Sequence, residues 1–135
     1  MRFDPVGPFV PAEGAAGWAT STTSILALAP VAASLAIFDE VGMPALRARS
    51  IRLTGLLETL LGDLPVEIVT PREPAARGAQ LSLRHHDAEA LLARLASRGV
   101  VADYRAPDLI RVAPMPLYTT DDEVRRFATI LGEVL

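Results

Sequence analysis

The sequence contains neither cysteine nor lysine, and each absence excludes a class of chemistry. Without cysteine there is no disulfide framework, no thiolate metal site and no thiol nucleophile. All 13 basic residues are arginine. Chemistry that needs a lysine amine, such as Schiff-base formation, therefore cannot be carried out by these 135 residues alone.

Charge and hydropathy argue against two classes of partner. The formal net charge is −3, which gives no electrostatic footprint for nucleic acid. The N-terminus has no apolar signal region. The longest apolar run, residues 25–38, is too short for a membrane span and is interrupted by Pro30 and Ser34. We therefore expect a cytoplasmic protein that binds neither nucleic acid nor a membrane.

The length and apolar content indicate one domain that either is very compact or requires a partner surface. A chain of 135 residues is long enough to bury its own core. The hydrophobic fraction of 50% and the mean hydropathy of +0.31 are high for a domain of this size. Residues 1–23 are rich in proline and glycine, which predicts an extended arm or interface segment, and residues 24–135 are then the small domain.

A helix is predicted over residues 24–41, because hydroxyl residues that favour N-caps precede an apolar run. Apolar side chains cover nearly every face of this helix, so we expect it to be buried on all sides. The hydroxyl groups of residues 20–24 have two interpretations. They cap the helix, or they form a phosphate or carboxylate site at its N-terminus.

The rest of the chain alternates short strands with amphipathic helices, which predicts an α+β fold. The predicted order is α-α-β-β-α-β-β-α, with a mixed sheet of about four strands and helices packed on one face. After the first helix, the predicted segments are residues 43–61, 66–69, 79–84, 88–97, 100–105, 109–112 and 121–134.

Arg111 lies in the apolar run that forms the last predicted strand, and it is the main candidate for a binding residue. A buried unpaired charge is very costly, so this arginine must face water, pair with a carboxylate or point into a cavity. Its planar fork matches a ligand carboxylate, although residue type alone favours the other interpretation, an arginine that pairs with a structural Asp or faces water. His85 and His86 suggest a metal site less well, because neighbouring strand residues point to opposite faces.

Several segments resemble kynureninases in order and spacing. The similarity begins in residues 33–38 and 46–57 and continues in Thr-Pro-Arg (70–72) and Arg-Gly-Ala-Gln-Leu-Ser (77–82). Its most specific parts are residues 98–107 and Ile-Arg-Val-Ala-Pro-Met-Pro-Leu-Tyr (110–118). The resemblance covers nearly the whole chain but only the last third of such an enzyme.

The resemblance implies the small C-terminal domain of a fold-type I pyridoxal-phosphate enzyme. Kynureninases hydrolyse kynurenine or 3-hydroxykynurenine to an anthranilate and alanine, and two subunits share their active sites. By this resemblance Arg111 binds the substrate carboxylate and Thr22 contacts the cofactor phosphate. No catalytic residue and no metal ligand are assigned to this chain. The Schiff-base lysine lies upstream in the family, in agreement with the absence of lysine here.

Three hypotheses follow for function. The first is the C-terminal part of a kynureninase-like hydrolase of tryptophan catabolism, inactive alone and paired with a large-domain partner or with a second copy of itself. The second is a non-catalytic interaction module. The third is an amino-acid-binding remnant that uses Arg111 as its grip. For Arg77, Asp103, Arg105 and Tyr118, only structural roles can be derived from the sequence.

Overall fold

The computed structural model describes residues 7, 8, 10–19 and 21–135, and their order of helices and strands is the predicted one. The chain divides into two compact units, Met1–Glu40 and Val41–Leu135. The predicted boundary after residue 23 stays a prediction. Short 3-10 helices occur at Gly14–Trp18 and Pro74–Ala76. The main elements are α1 (Ile25–Val41), α2 (Met43–Leu61), β1 (Glu67–Ile68), β2 (Leu81–Arg84), α3 (Ala88–Ser97), β3 (Asp103–Arg105), β4 (Leu109–Val112) and α4 (Asp121–Val134).

Helix α1 begins as predicted, but its expected burial on all sides is wrong for this chain. The backbone N–H of Leu28 donates to the carbonyl of Ser24 at 3.2 Å, which closes the first turn. No residue of α1 is buried, and Ile25 and Leu26 are 83% and 86% exposed. An apolar helix needs other elements to cover each of its faces, and the described part of this chain does not supply them.

No single helix among the described residues is long and apolar enough to cross a membrane, although α1 and α2 reach that length and apolarity when they are counted together. Residues 1–6, 9 and 20 of the predicted arm, which include Phe3, Phe9 and Thr20, lie outside the described residues. Trp18, by contrast, is described and is 87% exposed.

The sheet has the order β1-β2-β4-β3, and each of its pairings is antiparallel. The α+β class and the four strands are confirmed, whereas the expected mixed sheet is not observed. The reason lies in the crossover through α3. It joins β2 to β3, which run parallel to each other, but β4 lies between them and is antiparallel to both. No parallel pair therefore forms in the described sheet.

The two faces of the sheet differ because successive strand residues point to opposite sides. Leu81 and Leu83 of β2 pair with Val112 and Ile110 of β4, and all four are buried in the core. Helices α2, α3 and α4 supply the rest of this core. The paired residues between them, such as Ser82 and Arg111, lie on the opposite face.

Helix α4 starts at a complete capping box that fixes the end of the segment following β4. The Thr120 hydroxyl accepts from the backbone N–H of Glu123 at 3.3 Å, and the Glu123 carboxylate accepts from the backbone N–H of Thr120 at 2.7 Å. These hydrogen bonds satisfy donors that a helix start leaves unpaired. The carboxylate of Glu123 accepts from the backbone N–H of Thr120 and also from its hydroxyl at 2.9 Å, and these two hydrogen bonds hold the pKa of Glu123 below its ordinary value.

Candidate functional site

Arg111 lies in the middle of β4, on the sheet face that is turned away from the core. It pairs across the sheet with Ser82 of β2 on one side and with Asp103 of β3 on the other. Directly paired residues of antiparallel strands have their side chains on the same face. The fold therefore places a hydroxyl group and a carboxylate on the two sides of the Arg111 guanidinium.

Asp103 pairs with Arg111 through a single carboxylate oxygen. The Nε–H of Arg111 donates to Oδ2 of Asp103 at 2.6 Å, and Nη2 donates to the same oxygen. Nη1 of Arg111 and Oδ1 of Asp103 form no hydrogen bond with any residue in the described ranges. The pairing fits the structural interpretation of Arg111, while the open Nη1–Nη2 edge leaves room for a ligand carboxylate.

Arg105 also contacts the oxygen that Arg111 uses. Its Nε lies 3.1 Å from Oδ2 of Asp103. These are partly exposed groups, since the side chains of Arg111, Asp103 and Arg105 are 33%, 47% and 57% exposed. Two arginines thus share one carboxylate at a place that solvent can reach.

A second charged cluster occupies the same face of the sheet around Arg84. Nη1 of Arg84 donates to Oε2 of Glu67 at 2.9 Å, and Nε of Arg84 lies 3.2 Å from Oδ2 of Asp108. The hydrogen bond to Glu67 is the main cause that raises the pKa of Arg84 above its ordinary value. Arg84 therefore contacts two carboxylates, whereas Arg111 shares the single carboxylate of Asp103 with Arg105.

The β3–β4 hairpin positions Asp103 opposite Arg111. The turn is closed on one side by the Tyr104 hydroxyl, which donates to the carbonyl of Pro107 at 2.9 Å. The sequence alone indicates only a structural role for Asp103. The pairing of Asp103 with Arg111 could have been predicted from the turn at residues 106–108, because a hairpin centred on Pro107 places residue 103 opposite residue 111.

Arg77 is held inside the domain by a two-point ion pair with Glu58 of α2. Nη1 and Nη2 of Arg77 donate to Oε1 and Oε2 of Glu58 at 2.6 and 2.7 Å, and Nη1 also reaches the carbonyl of Pro71 at 3.2 Å. The side chain of Arg77 is only 3% exposed. The hydrogen bonds to Glu58 raise the pKa of Arg77. This pair ties the loop after β1 to α2, which is a structural role.

Thr22 precedes helix α1 and is exposed. It belongs to the unit Met1–Glu40, whereas Arg111 belongs to the unit Val41–Leu135. Tyr118 is 74% exposed and follows β4, where its backbone N–H donates to the carbonyl of Met115 at 3.3 Å.

His85 and His86 form a local contact between strand β2 and helix α3. Their rings lie 4.4 Å apart, and Nδ1 of His85 accepts from the backbone N–H of Asp87 at 3.2 Å. Within the described part of the chain, no three His, Asp or Glu side chains are grouped so that they could hold a metal ion.

A cavity of about 350 Å³ lies beside the start of α4. It is lined mainly by apolar residues, together with Tyr118, Glu123 and Arg126. Neither Arg111 nor Asp103 lines this cavity, so it is separate from the charged face of the sheet.

Comparison with known proteins identifies the family. The model of the kynureninase C-terminal domain matches residues 46–131. The chain belongs to the kynureninase family. It is 51% identical over 134 residues to the kynureninase of Xanthomonas oryzae pv. oryzae strain MAFF 311018, covering 94% of this chain and 31% of that protein. It is 49% identical over 134 residues to the kynureninase of Myxococcus xanthus strain DK1622, covering 96% of this chain and 32% of that protein.

The resemblance to kynureninases noted in the sequence is thereby confirmed, and the chain spans about a third of the length of the curated relatives it matches. Arg77, Asp103 and Arg111 lie inside the residues that the C-terminal domain model matches, and Thr22 precedes them.

Proposed function

We propose that these residues form the C-terminal part of a kynureninase-type hydrolase that cleaves kynurenine into anthranilate and alanine. The observation that carries this proposal is the family match over residues 46–131, which includes an arginine on an open sheet face. A large domain, from further sequence or from another chain, supplies the remaining active-site groups. We place this assembly in the cytoplasm, as a dimer.

Arg111 is the residue that we assign to the substrate. Its Nη1–Nη2 edge forms no hydrogen bond in the described residues. Two parallel N–H donors in a fixed plane match the two oxygens of an α-carboxylate. Arg111 can therefore keep its contact with Asp103 and bind the substrate at the same time.

Thr22 is the residue that we assign to the cofactor, pyridoxal phosphate. Its hydroxyl is exposed and precedes α1, whose first backbone N–H groups point away from the helix. A helix N-terminus with a nearby hydroxyl suits a phosphate group. The residues present thus fit one phosphate contact, while the amine that holds the cofactor must come from outside this lysine-free sequence. When bound, the cofactor supplies an electron sink for the bond that breaks.

A second candidate function is a non-catalytic interaction module. It is favoured by the seven large apolar residues that α1 exposes, from Ile25 to Val41. Contiguous apolar surface of this kind is typical of a protein interface. The complete enzyme would also bury this surface against another domain or subunit. Only a measurement of hydrolase activity therefore distinguishes the two candidate functions.

The test replaces the C-terminal third of the Xanthomonas oryzae kynureninase with this chain and follows anthranilate formation. Arg111→Ala should lower kcat/KM about a hundredfold, because a charged, hydrogen-bonded contact worth roughly 3 kcal/mol is lost. Arg111→Lys keeps the charge but loses the fork, and it should not restore activity. Thr22→Val should instead weaken retention of the cofactor.

The matched control is Arg84→Ala, which removes another partly exposed arginine from the same sheet face. This variant should keep kcat/KM near that of the unaltered chimera. A chimera without activity, or an Arg111→Ala variant within a few-fold of the unaltered chimera, would contradict the proposal. Unfolding of Arg111→Ala would assign Arg111 to structure instead.

A further inference from the structure

Asp103 holds one edge of the Arg111 guanidinium group and leaves the other edge open. Its Oδ2 accepts from Nε and Nη2, which together form the side edge of the group. The remaining hydrogen of Nη2 and one hydrogen of Nη1 point the same way and form the end edge. We propose that Asp103 is the positioning residue that fixes this end edge for a substrate carboxylate, an inference that rests on the proposed function of Arg111.

The ion pair between Asp103 and Arg111 adds little to the stability of the fold. The Asp103 side chain is 47% exposed, and exposed ion pairs of this kind contribute little to folding. Backbone pairing along Asp103–Arg105 and Leu109–Val112 already holds the two strands together. The main consequence of the contact is that it restricts the rotation of a long and otherwise flexible side chain.

Fixing one edge of a guanidinium also fixes the plane in which its other donors lie. Since the group is rigid, anchoring Nε and Nη2 on the Asp103 oxygen sets the direction of the end edge. Binding groups must be held closely in their productive geometry, and partners that do not touch the ligand supply this restraint. Asp103 can have this effect without contacting the substrate.

The charges of the cluster indicate the class of ligand. Arg111 and Arg105 share the single carboxylate of Asp103, which leaves one positive charge on this part of the sheet. Around Arg84 the balance is reversed, with two carboxylates for one arginine. A singly charged, planar carboxylate bound at the end edge of Arg111 would balance the first cluster.

Asp103→Ala in the chimeric enzyme separates positioning from simple charge attraction. Removing a negative charge beside Arg111 should strengthen carboxylate binding if attraction alone matters, and KM would then fall. If Asp103 orients Arg111, KM for kynurenine should rise roughly tenfold while kcat stays within about twofold. Asp103→Asn keeps an oxygen acceptor and should recover part of the loss.

A second readout uses the decarboxylated amine of kynurenine as a competitive inhibitor. This probe lacks the group that Arg111 binds, so its inhibition constant should be unchanged in Asp103→Ala. A general disturbance of the site would weaken the substrate and the probe alike. Glu67→Ala is the matched control, because it removes another exposed carboxylate from an arginine pair on the same face. It should leave both constants unchanged.

The Nε–H signal of Arg111 in the full chain, measured by nuclear magnetic resonance, tests the contact without any activity. This proton should be protected from exchange in the unaltered chain and lose its protection in Asp103→Ala, with the melting temperature nearly unchanged. Equal exchange in both proteins would overturn the proposal, even if the chimera is inactive.

The kinetic outcomes distinguish the two proposals. A lower or unchanged KM in Asp103→Ala, together with a strong effect of Arg111→Ala, would overturn only the role of Asp103. Equal weakening of the substrate and the amine probe would also overturn it. A weak effect of Arg111→Ala would contradict the proposed function itself.

Discussion

Removing only one partner of the ion pair between Arg77 and Glu58 should strongly destabilise the domain, and Glu58→Gln is the change that tests this. The substitution keeps the shape of the side chain but removes its charge. Arg77 would then lie 3% exposed without its ion-pair partner, and its Nε already has no partner among the described residues. Leaving a buried charge without its partner is far more costly than losing an exposed pair.

The expected loss is about 3 kcal/mol in the free energy of unfolding, the lower end of the range for a broken buried pair, because Glu58 keeps 14% exposure. For a unit of this size, each kcal/mol corresponds to roughly 4–8 °C, so the melting temperature should fall by about 12–24 °C. Urea unfolding followed by circular dichroism should give the same loss of free energy.

Glu67→Gln is the control for this prediction, because it neutralises the same residue type in a pair with Arg84 where both side chains are about half exposed. Its cost should stay under about 1 kcal/mol. The double variant Glu58→Leu/Arg77→Met, which removes both charges, should recover much of the stability lost in Glu58→Gln. Equal losses in Glu58→Gln and Glu67→Gln would refute the reasoning.

Three further predictions concern acidity, association and the cofactor. The backbone hydrogen bond from Thr120 lowers the pKa of Glu123 in the folded state, so its contribution is present above the ordinary value of 4.5 and is lost as the pH falls through the lowered pKa. Thermal unfolding of Glu123→Gln between pH 7 and 2 should therefore depend less on pH than that of the unaltered chain, and equal curves would contradict this. Sedimentation of the 135-residue chain at tens of micromolar should show a dimer or larger species, because α1 exposes its apolar residues, and a clean monomer would argue against it. Mixing the chain with pyridoxal phosphate and reducing the product should give no internal adduct by peptide mapping, since the sequence has no lysine, and a stoichiometric internal adduct would overturn this.

Local signals predicted most helix ends correctly. Helix α2 begins beside Pro44, which suits a first helical turn. Helix α3 is followed by Gly99 at φ 77, a conformation that glycine adopts without strain. Strand β3 is shorter than predicted, because the backbone N–H of Val100 donates to the carbonyl of Leu95 and so completes the end of α3 instead of joining the sheet.

The burial of α1 and the partner of Arg111 could not be derived from composition. An apolar helix shows that a cover is required, but its sequence does not show whether the same chain provides that cover. The choice between a structural and a ligand-binding arginine also depends on register. Only the pairing of β3 with β4 brings Asp103 to Arg111 and shows that one edge is engaged while the other is open.

The outer strands of the sheet have a consequence for how copies of this chain can join. Strands β1 and β3 form its two edges and are only two and three residues long, with Glu67, Asp103 and Arg105 among them. Short, charged edges are poor templates for adding a strand from another molecule. Copies of this apolar chain should therefore associate by packing of their helices. Fibril growth by adding strands is disfavoured at both edges of the sheet.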